Sequence, residues 1–286
     1  LHYFREEGLD VELREFADTQ QALAAVHGRA AHVWCGAFGQ LLAPPFRGQG
    51  WQSFVVQARA PQVALGVSAK ALPGFRGAAD LRGRRVGVRA NDPMCLQLLQ
   101  AVLQRDGVRA DELQVLPQAS PLQALQALRY GQLDALSHTD PVITQLEQQG
   151  ELRVVADTRN LRGTTDVFGG LVPVGCLCAP AEFIEQFPRV TQALTDAMVH
   201  ALKWLQTAGP SDLIKTVPES HFQGDRALYL AAVERSREAW TPDGLMPKGG
   251  PETAVRMATL KPIAPADLAR AYTNAFAARA KERFRA

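Results

Sequence analysis

Apolar positions follow two periods along this chain, and the two alternate. VGVRANDPMCLQLLQ (Val86–Gln100) passes from small and β-branched residues, through a polar turn, into apolar positions three and four apart. This predicts a buried strand feeding an amphipathic helix. QALAAVHGRAAHVW (Gln21–Trp34) and QALQALRYGQLDAL (Gln123–Leu136) each read helix, glycine, short strand, and align with one residue of offset. The first of these helices, Thr19–Val26, has Asp18 as its cap with Gln21 in capping-box spacing, and stops at Gly28. The second has Ser120 as cap, Pro121 at its first position and Gln123 at the third, and stops at Gly131. LDVELREF (Leu9–Phe16) alternates like a strand after LHYFREEG (Leu1–Gly8), which reads as a helix end. Gln62–Ala69 and Phe168–Pro180 read as buried strands, with a surface turn and short helix over Pro73–Gly83. From Ala181 onward only helices are predicted: Ala181–Phe187, Val190–Thr207, Ser211–Val217, Asp225–Ala239, Glu252–Ala258 and Pro265–Phe284.

Alternating strands and helices predict an α/β fold with parallel sheets flanked by helices. The length, 286 residues with 47% hydrophobic, supports one large or two modest domains. The expected division is a discontinuous lobe I of residues 1–65 and 175–286, and a lobe II of residues 66–174, joined by two crossovers acting as a hinge. A helix normally follows a strand in such chains, so a strand is expected upstream of Leu1, together with an export signal. In open α/β sheets, ligands sit outside the carboxyl ends of the strands. Those ends are Cys35–Gln40 in one lobe, and Arg89–Cys95 and Ser137–Pro141 in the other. Lobes facing one another would set these loops across a shared cleft.

Charge narrows the choice of partner. The formal net charge is +2 and no long block of like charge occurs, which argues against nucleic acid. RGRRVGVR (Arg82–Arg89) reads as the solvated start of a strand. No apolar run reaches the about 18 residues needed to span a bilayer. Four cysteines are too few for a disulfide scaffold, and Cys176 and Cys178 would share one face of a strand as small core hydrophobes. His32 and Cys35 bring no third or fourth metal ligand at usable spacing, and no nucleotide-binding glycine motif occurs. No metal and no cofactor is expected.

The segments YFREEGLDVELREF, QALAAVHGRAAHV, DLRGRRVGVRAND, LQALRYGQLDAL followed by a later DP, PAEFIEQFPRVTQALTDAMVHALKWLQ, TPDGLMP and PADLARAYTNAFAARA resemble solute-binding proteins of ABC importers. Within these they are most similar to the nitrate/sulfonate/taurine and NMT1/THI5-like (thiamine precursor) group. The resemblance implies a type II periplasmic-binding fold, in which two α/β lobes with a hinged cleft close on a small solute, with a helical C-terminal region. It further implies export to the periplasm, delivery to a membrane permease, a monomer, and no catalytic residues. Two other functions stay open on this fold: a ligand-sensing domain without transport, and an enzyme like those that make the thiamine pyrimidine. GCLC is a poor echo of the cysteine-dense segment of those enzymes.

The resemblance places Gly36, Ala37 and Phe38 in the first-lobe ligand loop. Small residues there allow close backbone approach, and Phe38 either stacks on the solute or belongs to the core. Asn91, Asp92, Met94 and Cys95 fall in the second-lobe loop, where relatives use free N–H groups at a helix start to receive an anion. Here Asp92 and Pro93 form the expected cap pair, and the Asp92 carboxylate would repel an anion. The expected solute is therefore a neutral heterocycle, an amide or a cation rather than nitrate or a sulfonate. His138, Thr139 and Asp140 fall where relatives carry an aromatic residue and an acid before proline. His138 either contacts the solute or is a satisfied loop histidine. Ser137, His138 and Asp140 do not form a catalytic triad, whose members converge from separate segments. Gly169 and Gly170, at the return crossover, are placed at the cleft or the hinge.

Overall fold

The computed structural model describes residues 1–16, 19–43, 46–257 and 263–285. Its strands are β1 (Trp34–Gly36), β2 (Trp51–Ala58), β3 (Val63–Ser68), β4 (Arg85–Arg89), β5 (Gln114–Gln118), β6 (Ala135–Thr139), β7 (Leu152–Asp157) and β8 (Val174–Pro180). The chain divides into two compact units. Unit 1 holds residues 1–60, 170–212 and 238–286; unit 2 holds 61–169 and 213–237. The sequence reading put 213–237 with lobe I. The segment instead packs within unit 2, where Arg235 on the helix Arg226–Ser236 reaches Glu147 at 3.4 Å.

Unit 1 carries a three-stranded sheet in the order β1-β8-β2, antiparallel throughout. The parallel sheet expected from the sequence is not found here. The long apolar stretch near Phe168–Pro180 resolves into the end of a helix, Leu161–Phe168, and then β8. Strand β2 is buried on both faces, so its sequence shows no alternation for a period-two search to find. Its outer edge is covered: Ser53 N–H donates to Ala271 O at 2.9 Å and Thr273 N–H to Ser53 O at 2.9 Å. That contact explains why the single helix expected over Pro265–Phe284 is two, Pro265–Arg270 and Ala275–Arg283. Among the described residues, Leu9–Phe16 forms no strand: no backbone ladder pairs with it, and Leu13 is 77% exposed. The helix Thr19–His27 forms as expected, while its proposed cap Asp18 lies outside the described residues, as does Ala258 at the end of Gly250–Met257.

Unit 2 carries a five-stranded mixed sheet in the order β5-β4-β6-β3-β7. The three strands β5, β4 and β6 run parallel, joined by the helices Pro93–Arg105 and Pro121–Arg129; β3 and β7 are antiparallel to their neighbours. Each helix starts on the cap the sequence assigns it. Asp92 accepts from Met94 N–H at 3.1 Å, and Ser120 accepts from Gln123 N–H at 3.2 Å. The alternation of the strands divides the core between the two faces of the sheet. Val86, Val88 and Ala135 pack with Leu98, Leu99, Val102 and Leu103 of the first helix. Leu136 and Ala64 pack with Ala124 and Leu128 of the second, and with Val142 and Ile143. No described helix is long and apolar enough to cross a membrane.

Candidate functional site

The carboxyl ends of the parallel strands in unit 2 bring two polar turns together. β4 ends at Arg89; Ala90 N–H then donates to Gln118 O at 2.8 Å, which holds the turn against the end of β5. Asn91 adopts a left-handed backbone (φ 59°), a conformation asparagine tolerates better than most residues. Asp92 follows as the helix cap. Its second carboxylate oxygen lies 3.5 Å from Arg89, whose Nη1 donates to Thr139 Oγ1 at 2.7 Å. Ser137 Oγ, two residues back on β6, donates to Cys95 O at 2.7 Å. The turn after β4 and the end of β6 are thus bonded to one another twice.

The register sets a polar row across this end. Arg89 pairs with Gln118, Val88 with Ser137, and His138 with Ala64, so Gln118, Arg89 and His138 stand level on one face. His138 is 1% exposed and Gln118 4%. His138 Nδ1 lies 3.0 Å from Thr139 O. Burial holds the His138 pKa below its ordinary 6.5; the Thr139 bond opposes this, the Arg89 charge adds to it, and Asp92 and Asp140 oppose it. Burial thus favours the neutral ring.

Beyond Thr139, Asp140 accepts from Thr144 N–H at 2.9 Å, capping the helix Val142–Gln148 across a cis Asp140–Pro141 peptide. Behind it lies Arg159, 1% exposed, the bulkiest of the fully buried side chains. It donates to Asp157 through Nε at 2.9 Å and Nη2 at 2.8 Å, and to Thr144 Oγ1 at 3.2 Å; Asp140 lies at 3.4 Å and Glu147 at 3.5 Å. Burial alone would lower the guanidinium pKa, but the Asp157 bonds and the charges of Asp140, Asp157 and Glu147 outweigh it and raise it.

The remaining expected site residues separate. Met94 is half-buried against the core of unit 2, and the Cys95 side chain lies within that core, so Cys95 offers no side-chain ligand contact. Burial foremost raises the Cys95 thiol pKa, aided by Asp92. Phe38 is fully buried in unit 1, edge-on to Tyr272 with ring centroids 6.1 Å apart, which settles it as core rather than a stacking platform. Gly36 is required by Trp34: a Cβ there would lie 1.8 Å from the indole. Ala37 precedes the one-turn helix Phe38–Leu41. Gly169, in unit 2, ends the helix Leu161–Phe168 in the left-handed conformation that favours glycine. Gly170, in unit 1, lies against Thr253 Oγ1, which a Cβ would approach to 2.5 Å.

Arg89, Gln118 and Arg159 were not singled out from the sequence. Arg89 sat at the end of a basic run, and three arginines of that run are engaged: Arg82 with Glu112 at 2.7 Å, Arg85 with Asp134 at 2.9 Å, and Arg89 as above. Gln118 ends a short strand with no alternation to mark it. The four cysteines are free; burial pushes the Cys176 thiol up to about 12, while Cys35 is exposed and donates to Gln57 Oε1 at 3.3 Å. Among the described residues, no group of three His, Cys, Asp or Glu could hold a metal ion.

The sequence profile of the NMT1/THI5-like family matches residues 1–208, nearly three quarters of the chain. The chain belongs to that family. A solved structure from Bordetella bronchiseptica RB50 is 41% identical, with a TM-score of 0.82, covering 99% of this chain and 90% of its own. A putative sulfonate ABC transporter periplasmic sulfonate-binding protein, SsuA from Methylobacillus flagellatus KT, is 16% identical with a TM-score of 0.72, covering 98% of this chain and 84% of its own. The desulfurization enzyme DSZB is 17% identical with a TM-score of 0.63, covering 99% and 93%. The last two show the fold alone: this family member has the α/β fold of periplasmic binding proteins, a fold that also carries an enzyme. No curated protein matches the chain.

Proposed function

We propose that this protein is the solute-binding component of an ABC importer, a non-catalytic receptor that works in the periplasm and delivers a small polar organic solute to a membrane permease. Units 1 and 2 are its two lobes, and the protein acts as a monomer. The observation that carries the reading is the joining of the turns after β4 and β6 at the carboxyl ends of parallel strands, where open α/β sheets hold ligands. Asn91, Asp92, Thr139, Asp140 and the helix start at Met94 are the unit 2 residues assigned to the solute.

Family membership and the likeness in fold to a sulfonate-binding protein of an ABC transporter support transport. The Asp92 carboxylate accepts the Met94 N–H and sets a negative charge at the helix start where an anion would bind. This favours a neutral or cationic solute over nitrate or a sulfonate. Native mass spectrometry of the purified protein, followed by a thermal-shift screen of sulfonates, nitrate, pyrimidines, amino acids and flavins, tests the reading. The expected result is a co-purified or added small molecule that stabilises the fold at one-to-one stoichiometry. A protein that turns such a molecule over, or is stabilised by none, contradicts it.

A further inference from the structure

His138 and Gln118 each present one buried atom without a hydrogen-bond partner, and in both cases that atom is an acceptor. His138 Nδ1 faces the Thr139 carbonyl at 3.0 Å. A carbonyl can only accept, so the proton of the neutral ring sits on Nδ1 and leaves Nε2 as a bare lone pair. His138 Nε2 is buried and unpartnered. Gln118 shows the same logic. Its Nε2 donates to Leu116 O at 3.1 Å, which fixes the amide orientation, and its Oε1 is buried and unpartnered. The two side chains flank Arg89 in one row at the carboxyl ends of β5, β4 and β6. An unmet buried acceptor destabilises the fold, and native folds rarely carry one without a use.

We propose that His138 Nε2 and Gln118 Oε1 are the specificity-determining acceptors of the solute site, and that the solute is a donor-bearing molecule whose N–H or O–H groups complete them. The inference rests on the solute-binding function proposed above and names the chemistry the site selects. The surrounding groups agree. The Arg89 guanidinium, the one cation in the row, is engaged by Thr139 Oγ1 and the Asp92 carboxylate, and Asp140 is turned toward Thr144 N–H and Arg159. At the two flanks of the row, His138 Nε2 and Gln118 Oε1 offer acceptor capacity to a guest. An amidine, an aminopyrimidine or a primary amide meets it, whereas nitrate or a sulfonate would set oxygen lone pairs against nitrogen and oxygen lone pairs.

The test pairs probes that differ only in donors: 4-aminopyrimidine against 4-(dimethylamino)pyrimidine, and acetamide against N,N-dimethylacetamide, with ethanesulfonate and nitrate as anions. Binding is read by thermal shift and calorimetry on the full chain. Histidine ring nitrogens are read in parallel by nitrogen-15 NMR, with His138 assigned through His138→Gln. The proposal expects an unprotonated Nε2 on His138 in the free protein. A donor probe should then shift that resonance and bind at least about tenfold tighter than its methylated partner, the equivalent of about 1.4 kcal/mol. Gln118→Leu should reduce that preference while leaving the melting transition cooperative. A proton on Nε2, equal binding of methylated partners, tighter binding of an anion, or binding that leaves the His138 signal unmoved each overturns the inference while leaving solute binding intact; the last outcome assigns ordered water to the two acceptors. Failure of every probe, together with no solute in native mass spectrometry, overturns the solute-binding reading and this inference with it.

Discussion

Replacing Arg159 by methionine removes one cation from among three carboxylates and keeps most of the side-chain volume. Arg159 is 1% exposed, doubly bonded to Asp157 and within 3.5 Å of Asp140 and Glu147. Removing one partner of a buried ion pair costs about 3–5 kcal/mol, because the other charge stays behind unpaired. Two features reduce the figure here. The carboxylates are partly exposed, Asp157 at 25% and Glu147 at 28%, and Glu147 keeps Arg235 at 3.4 Å. The expected loss is therefore at the lower end, about 3 kcal/mol. At about 2–4 °C per kcal/mol for a protein near this size, the midpoint should fall by about 6–12 °C. Arg159→Lys retains the charge but not the two-pronged geometry, and should fall between. Urea unfolding at pH 7 gives the free-energy loss and thermal unfolding the midpoint, both followed by circular dichroism. An Arg159→Met protein within about 1 kcal/mol of the parent would refute the reasoning, since it would mean the three carboxylates are solvated without the cation.

Three further outcomes follow from local geometry. Asp92→Ala removes the side-chain acceptor of Met94 N–H and should cost about 1 kcal/mol in urea unfolding; the freed helix start should also raise the affinity for ethanesulfonate, and an unchanged affinity would count against the repulsion argument. Asp134 is buried, which alone would raise its pKa, but bonds from the Arg85 side chain and backbone N–H hold it below its ordinary 3.8. Its contribution is present above pH 3.8 and is lost as pH falls through the lower folded value, so acid unfolding of Asp134→Asn should show a shallower slope there; an identical slope would sink the assignment. Among the four thiols, only Cys35 is exposed, but burial of its sulfur raises its pKa, so Ellman's reagent should titrate one thiol in the native protein, faster as pH rises, and none in Cys35→Ser.

The sequence carried the elements whose signals are local. Asp92–Pro93 and Ser120–Pro121 start helices because a side-chain oxygen reaches a nearby N–H, a matter of two or three residues. Strand pairing is different. Whether β3 runs with or against β6 is decided by partners far along the chain, so the expectation of parallel sheets held only for β5, β4 and β6. Leu9–Phe16 shows the reverse error, since alternation supplies a face but not a neighbour. The site divides in the same way. The turn at Asn91–Asp92 and the loop at His138–Asp140 were visible as polar breaks after apolar runs. Arg159 was not, because it is a buried charge kept by ion pairs with Asp140, Asp157 and Glu147, and periodicity treats charge as surface. Phe38 and Cys95 were overread: proximity to a loop in sequence did not turn their side chains out of the core.

Hydrogen exchange with and without the solute found by native mass spectrometry tests the central claim most directly. At a hundredfold excess over Kd, a single-site solute stabilises the native state by about 2.7 kcal/mol. Beyond that general slowing, the account predicts local protection concentrated in unit 2 at residues 90–95 and 137–140. A solute that binds and leaves both turns exchanging as in the free protein would contradict it.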